Sequence, residues 1–158
     1  MQTVYIETTI PSYLAAHPSS QVPIAADQQA THAWWTNERA RFRLYTSIFT
    51  LDEAGRGDAG AAARRLTYLQ GIPELDIPPQ LPGLESDIIR LFQLPPRAVV
   101  DASHLALAVL HRMDFLLTWN CTHLANASVQ RELLDYCLYH NLHVPIVCTP
   151  TALTQLTS

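Results

Sequence analysis

Apolar and polar positions change period along the chain, and each change predicts an element. Thr3 to Glu7 alternates β-branched and polar residues, which predicts a first strand. Pro11 ends it and suits the first turn of a short helix through Leu14. From Ala25 to Arg39, residues Ala26, Ala30, Ala33 and Trp34 recur at helical spacing and mark a core-facing stripe. Leu44 to Ile48 reads as a short strand. Phe49 to Ala54 reads as a helical turn or two, stopped at Gly55 and Gly57. Asp58 is the expected N-cap of an alanine-rich helix, Ala59 to Leu69. Glu74 to Ile77 reads as a strand closed by Pro78 and Pro79. Leu84, Ile88, Leu91 and Phe92 follow a helical stripe. Val99 to Arg112 predicts a helix with Ala102, Leu105, Ala106 and Val109 facing the core. Phe115 to Thr118 is a buried strand, Ser128 caps a helix through Asn141, and Val144 to Cys148 is the last strand, followed by Thr149-Pro150.

Strands and helices alternate from end to end, with no repeat or low-complexity tract. The pattern predicts one domain over residues 1–158, an α/β sandwich on a mostly parallel sheet. Ligands of such sheets bind beyond the carboxyl ends of the strands. Four polar residues fall at those boundaries. Glu7 ends the first strand, Glu53 follows the second, Asp101 opens a helix and Asn120 follows the strand Phe115–Thr118. Three carboxylates and an amide converging away from water repel one another unless a cation neutralises them. Oxygen-only ligands suit Mg²⁺ or Mn²⁺, and such a cluster suits metal-assisted phosphodiester hydrolysis.

Composition narrows the field further. With 48% apolar and 15% charged residues in 158, the chain has material for a core, which excludes a disordered or fibrous protein. A net charge of −4 excludes coating nucleic acid by bulk positive charge. All 10 basic residues are arginine, so lysine Schiff bases and the P-loop lysine are excluded. Cys121, Cys137 and Cys148 fit no zinc or C-x-x-C spacing and read as free buried thiols of a reducing compartment. Met1 to Glu7 carries no basic region and reads as no secretory leader. Ala98 to Trp119 is the most apolar stretch, but its Asp101, His104, His111, Arg112 and Asp114 exclude a membrane span. The expectation is a soluble cytoplasmic protein with no membrane partner.

Four strings then carry a resemblance. Tyr5-Ile6-Glu7-Thr8-Thr9-Ile10-Pro11-Ser12-Tyr13-Leu14 resembles the first-strand motif of PIN-domain proteins. Ser47 to Glu53, followed by Gly57-Asp58, is similar to their second motif. Val100-Asp101-Ala102-Ser103-His104-Leu105-Ala106-Leu107-Ala108 resembles the third. Leu116 to Asn126, containing Thr118-Trp119-Asn120, resembles the fourth, and Pro145 to Pro150 fits the last strand. The motifs keep the family's order over nearly the whole chain, and the resemblance is to VapC-like toxins of toxin–antitoxin pairs. It implies a three-layer α/β/α fold, a metal-dependent endoribonuclease, Mg²⁺ or Mn²⁺, an RNA substrate, an antitoxin partner and a homodimer. It also implies roles. Glu7 and Asp101 are the primary metal ligands, Glu53 completes the site directly or through water, and Asn120 ligates or holds a water.

The chain departs from the usual motifs twice, with Glu7 and Asn120 each where Asp is usual. Glu7 adds a methylene, and Asn120 removes a charge and brings an NH₂ group, which weakens a second metal more than a first. A catalytically weak PIN-like protein that binds RNA or a partner is therefore the alternative.

Other features admit two readings each. Thr8, Thr9 and Ser12 are turn hydroxyls or donors to the carboxylates or to phosphate. His104 and His123 are structural, or they touch RNA phosphate or tune the site. Gly55-Arg56-Gly57-Asp58-Ala59-Gly60 matches G-x-G-x-x-G, with Asp76 about 20 residues on as in dinucleotide sites. A helix stop at Gly55 and an Asp58 N-cap explain it at less cost. Trp34-Trp35 is a packing pair or a stacking platform for bases. Arg39, Arg41, Arg43, Arg64 and Arg65 are RNA-backbone contacts or solvated charges.

Overall fold

The computed structural model describes Met1–Ser158. Four parallel strands, β1 (Thr3–Ile6), β2 (Arg43–Tyr45), β3 (Phe115–Leu117) and β4 (Ile146–Cys148), form one sheet in the order β2-β1-β3-β4. Val4 pairs with Leu44 on one side and Phe115 on the other, and Phe115 pairs in turn with Ile146. The helices are α1 (Thr9–Ala15), α2 (Val22–Asn37), α3 (Ile48–Ala54), α4 (Ala59–Leu69), α5 (Leu81–Leu91), α6 (Val99–Leu110), α7 (Ala127–Tyr139) and α8 (Pro150–Thr157).

Side chains alternate across the sheet, and both faces are covered. Tyr5, Leu116 and Val147 bury against Leu84 and Ile88 of α5, Leu105 of α6 and Leu133 of α7. Val4, Ile6, Phe115, Leu117 and Cys148 bury against Ile10 of α1, Trp34 of α2, Leu69 of α4 and Leu153 of α8. The result is the expected three-layer α/β/α sandwich, with the sheet wholly parallel. Burial on both faces explains why Phe115–Leu117 reads as continuously apolar rather than alternating.

The outer edge of β4 is closed by one side chain. The Gln130 carboxamide donates to Pro145 O (3.0 Å) and accepts from Val147 N–H (2.9 Å), which takes up backbone groups an edge strand would leave open. The opposite edge carries no fifth strand. In place of the expected strand Glu74–Ile77 there is a single parallel bridge, Thr46 with Glu74. Pro73, Pro78 and Pro79 lack the N–H donors a longer ladder requires.

Helix ends account for most of the other differences. Helices α5, α6 and α7 each stop at a residue of positive φ that is not glycine: Gln93 (51°), Arg112 (54°) and Asn141 (55°). In each case the next amide bonds back five residues: Leu94 to Ile89, Met113 to Ala108 and Leu142 to Cys137. These are Schellman caps with an apolar residue folded back after the turn. Without a glycine to mark them, the sequence runs the last two helices on to Arg112 and Asn141. Helix α7 is capped by Asn126, whose Oδ1 accepts from Val129 N–H at 2.9 Å, and not by Ser128, which is exposed. Helix α8 was not anticipated, although Thr149 caps it and Pro150 opens it.

Helix α2 matches the expected stripe only in part. Trp34 is buried and Ala30 half-buried as expected, but Ala26 and Ala33 are exposed, and Gln28 and Thr31 are buried instead. Polar partners decided this. Gln28 holds His17 O and Ser19 N–H, and Thr31 accepts from the Trp119 indole at 2.7 Å. The Trp34-Trp35 pair is packing. Trp34 lies against Phe42, and Trp35 against Tyr68 under the Arg39 guanidinium.

Candidate active site at the carboxyl edge of the sheet

Strand β1 has β2 on one side and β3 on the other, so the chain's two directions of winding part between β1 and β3. A crevice opens at the carboxyl ends of strands at such a point. Glu7 and Thr118 are the first residues beyond β1 and β3 and sit on either side of it. Glu7 N–H bonds Leu117 O (3.2 Å), and the Glu7 carboxylate is turned back into the gap. Its Oε2 accepts from Thr9 N–H (3.0 Å), Thr9 Oγ1 (2.5 Å) and Thr118 Oγ1 (2.7 Å). Glu7 is only 3% exposed, and a carboxylate that deep requires such donors.

Glu53 reaches the same gap from α3. Ser47 caps that helix, accepting from Phe49 and Thr50 N–H, and Thr50 Oγ1 donates to Ile6 O (3.1 Å). The helix is thereby pinned to the end of β1, and Glu53, one turn past Thr50, faces Glu7. Its Oε1 accepts from Thr8 Oγ1 and His104 Nε2, both at 2.6 Å. One oxygen each of Glu7 and Glu53 and a ring nitrogen of His104 lie within 4.8 Å of one another.

Asp101 stands in the first turn of α6, with His104 one turn on along the same face. His104 is wholly buried, and its Nδ1 shares a 2.7 Å hydrogen bond with Tyr5 OH, which lies 2.6 Å from Ser47 Oγ. Burial by itself would lower this imidazole's pKa. The Tyr5 oxygen, Glu53 and Glu7 outweigh it and push the pKa up to about 10. The shift favours the protonated ring, a cation set among the acids. Glu53 is held below its usual range, since its bonds to His104 and Thr8 overcome burial. Asp101 moves the opposite way: burial raises it, with the Glu53 charge adding, against the pull of Asn120, His104 and His123.

The structure gathers all four predicted residues at this edge, but not in equal roles. The Asn120 Oδ1 accepts from His123 N–H (3.0 Å), and its own N–H donates to Thr118 Oγ1 (2.9 Å). The amide shapes the turn beside Asp101. His123 Nδ1 lies 3.2 Å from Asp101 Oδ2. Sequence reasoning missed Tyr5, Ser47 and Thr118. A tyrosine in a strand and a serine before a helix look like core and cap, and only the packing of β1 on α6 joins them to His104.

Glu7 and Glu53 converge with His104, and Asp101 stands beside them, near enough for the Glu53 charge to raise it; each acid is tied to the protein through one oxygen. Glu7 Oε1 and Glu53 Oε2 make no hydrogen bond to the protein, and Asp101 is bonded through Oδ2. That donor set fits one hard divalent cation.

The other candidates lie elsewhere. Arg43 begins β2, at the opposite end of the sheet from the crevice. Arg41 pairs with Glu38 and Thr157 O, and Arg65 holds Ala54 O and Arg56 O. The glycine string follows α3 rather than a strand. Asp58 Oδ2 accepts from Ala61 N–H at 2.9 Å, which places a carboxylate where a pyrophosphate would sit. Cys137 and Cys148 are buried free thiols, and Cys121 is exposed rather than buried. No helix is long and apolar enough to cross a membrane. A scan against protein-family models matches none, and no curated protein matches the sequence.

Proposed function

We propose that this chain is a metal-dependent endoribonuclease of the PIN type, the toxin half of a toxin–antitoxin pair. The observation that carries the reading is the meeting of Glu7, Glu53 and His104 within 4.8 Å at the β1–β3 crevice, with Asp101 beside them on the His104 face of its helix. The resemblance of four motifs in order supports it, and that resemblance alone supports the antitoxin partner, the homodimer and a cytoplasmic setting.

Glu7, Asp101 and Glu53 would hold Mg²⁺ or Mn²⁺. Such an ion supplies Lewis acidity to a phosphodiester and makes water a better nucleophile near neutral pH. The chain's own residues prepare the site. Thr9 and Thr118 fix the Glu7 carboxylate by three donors, so its second oxygen faces the crevice in one orientation. His104 and Thr8 do the same for Glu53, and Tyr5 fixes the His104 ring. Asn120 holds the turn that carries His123 to Asp101. Preorganised ligands of this kind lower the cost of charge rearrangement during reaction.

The test is Mn²⁺ titration by calorimetry with cleavage of a structured RNA, on wild type and Asp101→Asn. Binding and cleavage in wild type, both lost in the variant, are expected. Absence of Mn²⁺ binding in folded wild type would overturn the nuclease reading. One observation favours a catalytically weak binding protein instead: Asn120 spends its amide oxygen on a backbone turn, leaving three acidic ligands. That alternative predicts RNA binding indifferent to Asp101→Asn.

A further inference from the structure

Beside the acidic crevice lies a second cleft, of about 390 Å³, between the end of α5, the loop after β3 and the start of α7. That volume is in the range of small-ligand sites, roughly 300–1,000 Å³. Phe92, Gln93, Thr122, His123, Ser128 and Glu132 line it. His123 belongs to both places, because its Nδ1 contacts Asp101 while its ring lines the cleft. A chain whose phosphodiester lay at Asp101 would have its neighbouring nucleotide within reach of this cleft.

We infer that the cleft is a nucleobase subsite that selects the base flanking the scissile bond, an inference that rests on the nuclease reading. The lining argues for a base over a phosphate. It contains no arginine, and the Glu132 carboxylate repels an anion. Phe92 is half-buried, anchored against the core on one part and open to the cleft on another, which suits stacking. Gln93, Thr122 and Ser128 offer amide and hydroxyl groups that match a base edge. The left-handed turn at Gln93 (φ 51°) sets the lip of the cleft and is fixed by the Schellman bond from Leu94 to Ile89. Glu132 is an exposed carboxylate that accepts hydrogen bonds only. It therefore favours a base presenting N–H donors, and guanine, with N1–H and N2–H₂ on one edge, fits best.

The test needs no metal. Guanosine and uridine, which carry no phosphate, are titrated into metal-free protein and followed by amide chemical shifts, for wild type, Glu132→Gln and Phe92→Leu. The expected result is shift changes centred on Phe92, Thr122 and His123, with guanosine bound tenfold or more tighter than uridine. Glu132→Gln should abolish that preference, and Phe92→Leu should weaken both. Shifts centred elsewhere, or variants that bind like wild type, overturn the subsite. Cleavage of an RNA library separates the two ideas. Base-selective binding without cleavage leaves the subsite standing and removes the nuclease. Cleavage without base preference, unchanged in Glu132→Gln, removes the subsite and leaves the nuclease.

Discussion

The two ends of the sheet use the same chemistry to different effect. At the amino ends of β1 and β3, Asp114 accepts from Thr3 N–H (2.8 Å) and Thr3 Oγ1 (3.1 Å), and Thr3 Oγ1 accepts from Asp114 N–H (3.0 Å). One acid meets one threonine in a reciprocal clasp, half-buried, with no second acid bonded into it. At the carboxyl ends, Glu7 is likewise held by threonines, Thr9 and Thr118. There Glu53, Asp101 and His104 crowd in as well. A carboxylate with threonine donors is thus no mark of function. What sets the carboxyl end apart is the crowding of further ionisable groups, and the proposed metal site rests on that crowding.

Substitutions at the two ends should separate these roles. The largest effect is expected for Asp101→Asn. Mn²⁺ affinity and RNA cleavage should fall by more than about 100-fold, beyond the 10–100-fold typical of a lost outer-shell partner. Thermal unfolding should show equal or greater stability near neutral pH. Burial raises the Asp101 pKa, so its ionised form costs stability, a cost that eases as pH falls through that raised pKa. A marked fall in melting temperature would instead make Asp101 a structural acid like Asp114.

His104→Ala should rank next. It leaves Tyr5 OH with only hydroxyl partners and Glu53 with only Thr8, and should cost about 3 kcal/mol, the low end for breaking a buried pair, since Glu53 is partly solvated. Denaturant titration measures this. The sign of its pH dependence is fixed by the shift. The imidazole's pKa rises from 6.5 to about 10, so its contribution is complete below 6.5 and is lost as pH climbs through about 10. Wild-type stability should decline between pH 7 and 9, ahead of ionisation of the Cys137 and Cys148 thiols, whose ordinary value is 9.0 and which burial raises further. His104→Ala should flatten that decline. An unchanged slope would mean the imidazole is neutral.

Thr3→Val opens the opposite clasp. It should cost about 1–2 kcal/mol for the hydroxyl's hydrogen bonds and leave Mn²⁺ titration unchanged. A loss of metal binding would show that the two ends are coupled through β1. The smallest effect concerns the loop beyond β3. Asn126→Ala should cost about 1 kcal/mol as a lost helix cap, and Ser128→Ala a few tenths at most. Chemical denaturation of the pair checks which residue starts α7.

The reading from the chain alone reached the alternation of elements, the parallel three-layer class and the four polar boundaries Glu7, Glu53, Asp101 and Asn120. The three-layer arrangement was implied by the family resemblance; the rest came from local signals: period-two and period-3.6 patterns, an Asp58 cap, acids directly after strands. Such signals do not depend on what lies across the fold. The tertiary structure decided what local rules cannot express. It chose the polar face of α2, because Trp119 and His17 supply partners more than 80 residues away and 11 residues away from Thr31 and Gln28. It ended α6 and α7 at left-handed residues without glycine, because apolar residues just beyond could fold back onto the core. It decided between the two readings of His104 by bonding its ring to Tyr5 and Glu53, because only strand order sets Tyr5, Glu53 and α6 side by side. A residue's neighbours in sequence determine which element it joins. Its neighbours in space determine its charge, and with it the chemistry it can do.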